Sequence, residues 1–361
     1  MWYVGDQMDI IRLEDVEKYV YGGAVLGGGG GGSIEEGVKI GRIATQISPI
    51  KLLDVDEIRD EKNLVTISMV GVQSKGVILP YHHIRVIELM RMFNVEVDGL
   101  IGSECGATAV THGWIQAAVY RKPVVDCPCD GRAHPTGVMG AMGLHRVKGY
   151  RTVQAACGGE ENLEIIVSGS IEATSRIVRQ FSIEAGGCVA VARNPVKVDY
   201  AKRNGAPGAL KQAYKIGEAI LSVNKPEDRI ETAVKTLNGK IICRGEIRGK
   251  RMEVEGGFDV GYIEVVDEGN DLYKVTFVNE YMSVHRWDET ITTFPNLINI
   301  FSLKTGLPIN SAEIKLEEPV AITIADKNAI KIGEGLRDQK LYDPIKRIIK
   351  DKLNLELEFK I

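Results

Sequence analysis

The chain has 361 residues, 44% hydrophobic and 26% charged, with 45 Lys and Arg against 49 Asp and Glu for a formal charge of -4. That length and balance predict a large buried core, most simply divided between two domains, and exclude a disordered chain. So small a net charge gives no field to hold a polyanion, which excludes nucleic acid as a partner, and no stretch reaches the roughly 18 apolar residues of a membrane span.

Met1 to Asp6 lack a basic segment leading into an apolar one, so the reading is no secretory leader and a cytoplasmic location. Residues 13–22 then have helical spacing of apolar positions and run into Gly27 to Gly32. Ser33 follows as an N-cap, with Glu36 at the capping-box position of a helix over 34–46. Leu64–Gln73, apolar and β-branched, reads as a buried strand, followed by a helix over 81–93. A strand over 97–102, a helix over 108–120 and a strand over 123–126 complete a strand–helix alternation that predicts a largely parallel sheet. Residues 164–168 could add a strand.

Beyond residue 169 the pattern changes. Helices are expected over 171–184 and 208–223 around a short β segment at 187–191, then short strands between glycine turns from 237 to 323, and a terminal helix over 342–355. The division is therefore an α/β domain over 1–168 and a second domain over 169–361, whose β-rich core, barrel- or sandwich-like, spans about 230–328.

Three segments could carry chemistry. The glycine run leaves backbone N–H groups of Gly28, Gly29, Gly30 and Gly31 free to approach an anion at a helix N-terminus, or it is a tight packing turn. No Gly-Lys-Ser/Thr follows and no strand precedes it, so no nucleotide cofactor is expected. In Gly102–Thr108, where a strand should end, Glu104 is a candidate base, Cys105 a candidate nucleophile or metal ligand, and Thr108 a helix cap or substrate contact. In Asp126–Pro135, Asp126 and His134 are acid/base candidates and Arg132 suits bidentate recognition of a carboxylate substituent, or pairs with Asp126 to hold the turn. Cys127, Cys129 and His134 form a tentative ligand set for zinc or another divalent metal. The one-residue gap between the cysteines argues against a structural zinc knuckle and leaves buried thiols as the alternative. His112 could face the same place, whereas His82 and His83, at the start of a helix, read as capping or surface-exposed residues and His285 as a strand residue. The six cysteines, in a chain without a leader, read as reduced thiols.

Taken in order, Leu13-Glu14-Asp15, the stretch Gly22 to Gly31, Pro123-Val124-Val125-Asp126, Gly131-Arg132-Ala133, Gly239-Lys240-Ile241, Gly256 to Gly261, Phe277-Val278-Asn279-Glu280-Tyr281 and Phe294-Pro295-Asn296 resemble the S-methyl-thiohydantoin desulfurase-like family. The resemblance spans nearly the whole chain. It implies an α/β domain followed by a β-barrel-like one, hydrolytic loss of sulfur from an S-methylated thiohydantoin, and an association with hydantoinase or oxoprolinase systems. The expected ligand is a small cyclic amide or thioamide, with a homo-oligomer or a hydantoinase/oxoprolinase-type partner left open; the alternative is a non-catalytic accessory subunit of such a system. Two motifs depart from the family pattern. Pro128 stands at its second Asp position, and Ser103 to Thr108 replaces its Gly-Gly-x-Asn.

Overall fold

A computed structural model describes residues 9–71 and 76–361, so the Met1–Asp6 reading and the last two residues of the Leu64–Gln73 strand lie outside the described residues. Among the described residues, eight strands form one mixed sheet. They are β1 (Asp9–Ile11), β2 (Ile50–Asp54), β3 (Asn63–Gly71), β4 (Gly99–Gly102), β5 (Val124–Asp126), β6 (Thr152–Gly158), β7 (Leu163–Gly169) and β8 (Cys188–Lys197), in the spatial order β1-β2-β5-β4-β3-β8-β6-β7. The block β2-β5-β4-β3 is parallel, as the strand–helix alternation requires. Antiparallel strands extend it at both sides.

The β segment expected at 187–191 is in fact ten residues long, and it pairs with β3 and β6 inside this first sheet. Asn194 and Pro195 made it look terminated earlier. A register shift between Leu64 and Thr66 absorbs the irregularity, and the strand continues to Lys197.

The helices are α1 (Val16–Gly27), α2 (Ile34–Ile47), α3 (Pro80–Met92), α4 (Trp114–Tyr120), α5 (Ile171–Glu184), α6 (Val198–Asn204), α7 (Ala209–Leu221) and α8 (Pro226–Thr236), the last packed on α7. The buried face of α2 is Gly37, Ile40, Gly41, Ala44 and Thr45, the helical spacing read from the sequence. Ser33 caps it, its Oγ accepting from Glu36 N at 3.1 Å, while the Glu36 carboxylate turns to Lys39 rather than closing a capping box. The helix expected over 108–120 breaks at Gly113, whose φ of +89° separates a short 3-10 turn from α4. Where α1 crosses α7 the backbones nearly touch: a Cβ on Gly22 would lie 1.7 Å from Ala213 O, and one on Gly217 1.8 Å from Lys18 O.

The second sheet is antiparallel and curled as a half-barrel. Its strands are β9 (Lys240–Glu255), β10 (Phe258–Asp267), β11 (Leu272–Val278), β12 (Glu280–Arg286), β13 (Glu289–Thr293), β14 (Leu297–Ser302) and β15 (Pro319–Ala325), ordered β13-β12-β11-β10-β9-β15-β14. Leu297, Phe301 and Ala321 of this sheet pack into the same apolar cluster as Val20, Val25 and Leu26 of α1, so the two sheets share core rather than merely abut. The closing helix α9 (Asp343–Leu353) buries Ile345 and Ile349 beside Phe294 and Tyr342. All six cysteines are free and buried.

Candidate functional site

Between the sheets lies a cleft of about 610 Å³. Gly29 to Ser33 form one wall, Ser103, Glu104 and His134 to Gly137 the floor, and Asp259, Asn279, Glu280 and Asn310 to Glu313 the side given by the β-rich half. The three loops singled out in the sequence do meet here. Gly31 O accepts from Thr108 N at 2.9 Å and from Ala109 N at 3.1 Å, and His134 N donates to Glu104 Oε2 at 3.2 Å. Each loop follows a strand or helix end, so a cleft at the carboxyl edge of the parallel block is the expected outcome of the topology.

The glycine run serves both packing and the cleft. A Cβ on Gly30 would lie 2.1 Å from Glu280 Oε1, one on Gly29 2.6 Å from the Tyr281 ring, and one on Gly31 2.5 Å from Gly106 Cα. Two of its carbonyls bind the β-rich half: Gly28 O accepts from Tyr281 N at 2.8 Å and Gly29 O from Ser311 N at 2.9 Å. The N–H groups of Gly31 and Gly32 have no acceptor among the described residues and sit at the head of α2. They are donors available to a ligand.

Glu104 and His134 form the titratable centre. His134 Nε2 lies 3.3 Å from Ser103 O and 3.3 Å from Glu104 Oε2. A carbonyl can only accept, so Nε2 carries the proton. Burial, reinforced by the charge of Arg193, lowers the imidazole to about 4, so it is neutral at physiological pH. Burial raises the Glu104 carboxyl to about 7 against the His134 amide, Arg193 and Arg132, which favour its charged form. A carboxyl poised there can give or take a proton at neutral pH.

Several residues that line the cleft were not identified from the sequence. Arg193 sits on β8 and Arg179 on α5; burial lowers both guanidinium pKa values, that of Arg179 to about 10. Glu280, at the start of β12, is held well above the ordinary carboxyl range by burial and by Glu104. The available signals were a lone arginine closing the apolar run Cys188–Ala192 and the Asn279-Glu280 pair, which entered only as a family signature.

Other expected site residues lie elsewhere. Asp126 does not reach the cleft: its carboxylate accepts from Leu210 N at 2.7 Å and Lys211 N at 3.1 Å, capping α7, and burial raises it to about 6. Arg132 is fully buried and spends its donors on the carbonyls of Pro295 (2.9 Å), Asn296 (2.8 Å) and Ala133 (3.2 Å), with its guanidinium 4.2 Å over Phe294. It ties the two halves together. Thr108 Oγ1 donates to Ser33 O at 3.0 Å and so fastens the glycine loop, and Cys105 is buried with its thiol pushed well up by burial. The set Cys127, Cys129 and His134 does not assemble around a metal. Cys127 Sγ donates to Ala201 O at 3.3 Å, Cys129 Sγ lies 3.4 Å from Thr66 Oγ1, and burial pushes both thiols up, that of Cys129 to about 12. Among the described residues no group of three or more His, Cys, Asp or Glu is arranged to hold a metal ion. His112 is buried away from the cleft lining, lowered to about 3 by burial and by His83. His285 is a strand residue, bonded to Ser283 Oγ at 2.7 Å.

Fold and site together define a two-sheet protein with an acid-, imidazole- and guanidinium-lined interdomain cleft. The chain belongs to the S-Me-THD-like family: the model of its N-terminal domain matches residues 14–168 and that of its C-terminal domain residues 169–337. A crystal structure of a protein from Chromobacterium violaceum has the same fold, with a TM-score of 0.75 at 16% identity over 98% of this chain and 99% of that one. No curated protein matches this chain. No described helix is long and apolar enough to cross a membrane.

Proposed function

We propose that the chain is a hydrolase of small cyclic amides or thioamides of the hydantoin class, acting in the interdomain cleft. The observation that carries this reading is the poise of Glu104, a carboxyl near 7 held by the His134 amide within a cleft large enough for a five-membered ring. In this reading Glu104 takes a proton from water as its oxygen attacks the ring carbon bearing the leaving group. For an S-methyl thiohydantoin, the new C–O bond replaces the C–S bond and the proton returns to the departing sulfur, giving hydantoin and methanethiol. His134 fixes the carboxylate through its backbone N–H, while its neutral ring donates from Nε2 to Ser103 O. The unpaired N–H groups of Gly31 and Gly32 are donors for negative charge developing on the ring. No step is assigned to a metal, because the cysteines have other partners.

Replacement of Glu104 by Gln keeps the shape and removes the base. Turnover of hydantoins and S-methyl thiohydantoins, followed by methanethiol release and ring product, should fall by about 10²–10⁴-fold with the thermal transition retained. Undiminished turnover in that variant would overturn the assignment.

A further inference from the structure

The chemistry above leaves one buried charge unused. Arg193 is 3% exposed, yet its guanidinium lines the cleft and makes no hydrogen bond or ion pair with any described residue. A buried cation without a hydrogen-bonded partner is costly, so its retention calls for a partner from outside the chain. Glycines let the backbone close on the guanidinium. A Cβ on Gly137 would lie 2.6 Å from Arg193 Nη1, and one on Gly140 3.6 Å from Nη2.

Arg179 reinforces this corner. It lines the same cleft and is fixed by an Nη1 bond to Gly257 O at 3.0 Å and by stacking 4.3 Å over Phe258. The two guanidiniums are close enough for the charge of Arg193 to disfavour that of Arg179, a repulsion that an anion near both would relieve. Lys39, the other lysine or arginine among the lining residues, is paired with Glu36 at 3.3 Å. The nearby acids Glu104 and Glu280 are both held toward their neutral forms by burial, and neither forms an ion pair with Arg193.

We infer that Arg193, assisted by Arg179, anchors a carboxylate on the ligand, so that the cleft selects cyclic amides carrying an anionic substituent over neutral ones. A planar guanidinium matches a carboxylate two bonds at a time, which makes it an orienting contact as well as a charge. The inference rests on the cleft being the ligand site, as the proposed function has it, but not on turnover.

Calorimetric titration of the full chain with hydantoin-5-acetate, its methyl ester and hydantoin reads it directly. The free carboxylate should bind roughly ten- to a hundred-fold more tightly than the ester, the range of a charge-assisted hydrogen bond. In Arg193→Met that preference should shrink to less than about three-fold, and Arg193→Lys should recover part of it. Equal affinity of acid and ester for the wild-type protein overturns the inference even if Arg193→Met fails to fold. So does inorganic phosphate binding as tightly as hydantoin-5-acetate. A protein that prefers the acid yet hydrolyses none of the rings upholds the inference and overturns the hydrolase reading alone.

Discussion

Glu104, partly buried, and Asp126, buried, are carboxyls beside the ends of adjacent parallel strands, and their partners give them different duties. Asp126 accepts two backbone N–H bonds at the head of α7, so Asp126→Ala should cost about 1–2 kcal/mol in urea denaturation while leaving turnover nearly intact. Strong loss of turnover with unchanged stability would show that this division is wrong. Glu104 has a measurable signature of its own. Burial raises its folded pKa from 4.5 to about 7, so between those values the folded state holds a proton that the unfolded chain releases. Stability is therefore lost as pH rises through that window. The Tm of wild type relative to Glu104→Gln should fall from pH 4.5 to 7 and then level off, and a flat difference would contradict the assignment. Both residues were legible in the sequence as carboxyls at strand ends. Which one meets solvent and which one meets a helix depended on where α7 docks, some 80 residues further along the chain.

At the scale of elements, the glycine run joins the two halves. Gly30 faces Glu280 and Gly31 faces Gly106, each closer than a Cβ can be accommodated without movement. Gly31 also has a φ of +72°. Gly30→Ala should therefore cost about 1–3 kcal/mol, the usual penalty of overpacking, and displace Glu280. The comparison variant Gly149→Ala has open space around its Cβ and only its φ of +80° against it, so it should cost less, about 1 kcal/mol. Denaturant midpoints check the order, and Gly149→Ala proving the worse would refute the packing argument. The run, its serine cap and the apolar face of α2 were readable locally because capping and helical spacing depend on neighbours within four residues. The full length of β8 was not. Asn194 and Pro195 are local terminators, and only pairing with β3, more than 100 residues earlier, carries the strand past them.

Across the whole molecule, the α/β and β-rich halves share a core and are clamped by Arg132, whose donors reach Pro295 and Asn296 from the first half. Its guanidinium suggested a substrate contact, and nothing local distinguished that from a bond to the other domain. Loss of the bonds that its Nε and Nη1 make leaves those carbonyls unpaired, so Arg132→Met should destabilise by about 3–5 kcal/mol and expose the junction to limited proteolysis, with Arg132→Lys intermediate. The alternation of strands and helices, and the later run of short strands, made both architectures legible. Arg179, Arg193 and Glu280 stayed hidden because the cleft gathers them from three elements that have no sequence proximity. The proposed chemistry places the proton-accepting group of that cleft on Glu104. The most direct test is the pH dependence of kcat/KM for S-methyl thiohydantoin hydrolysis. The account predicts a rising limb with its midpoint near pH 7, reporting the Glu104 carboxyl, and collapse of the rate in Glu104→Gln. A rate independent of pH between 5 and 8, or a limb that survives in Glu104→Gln, would contradict it.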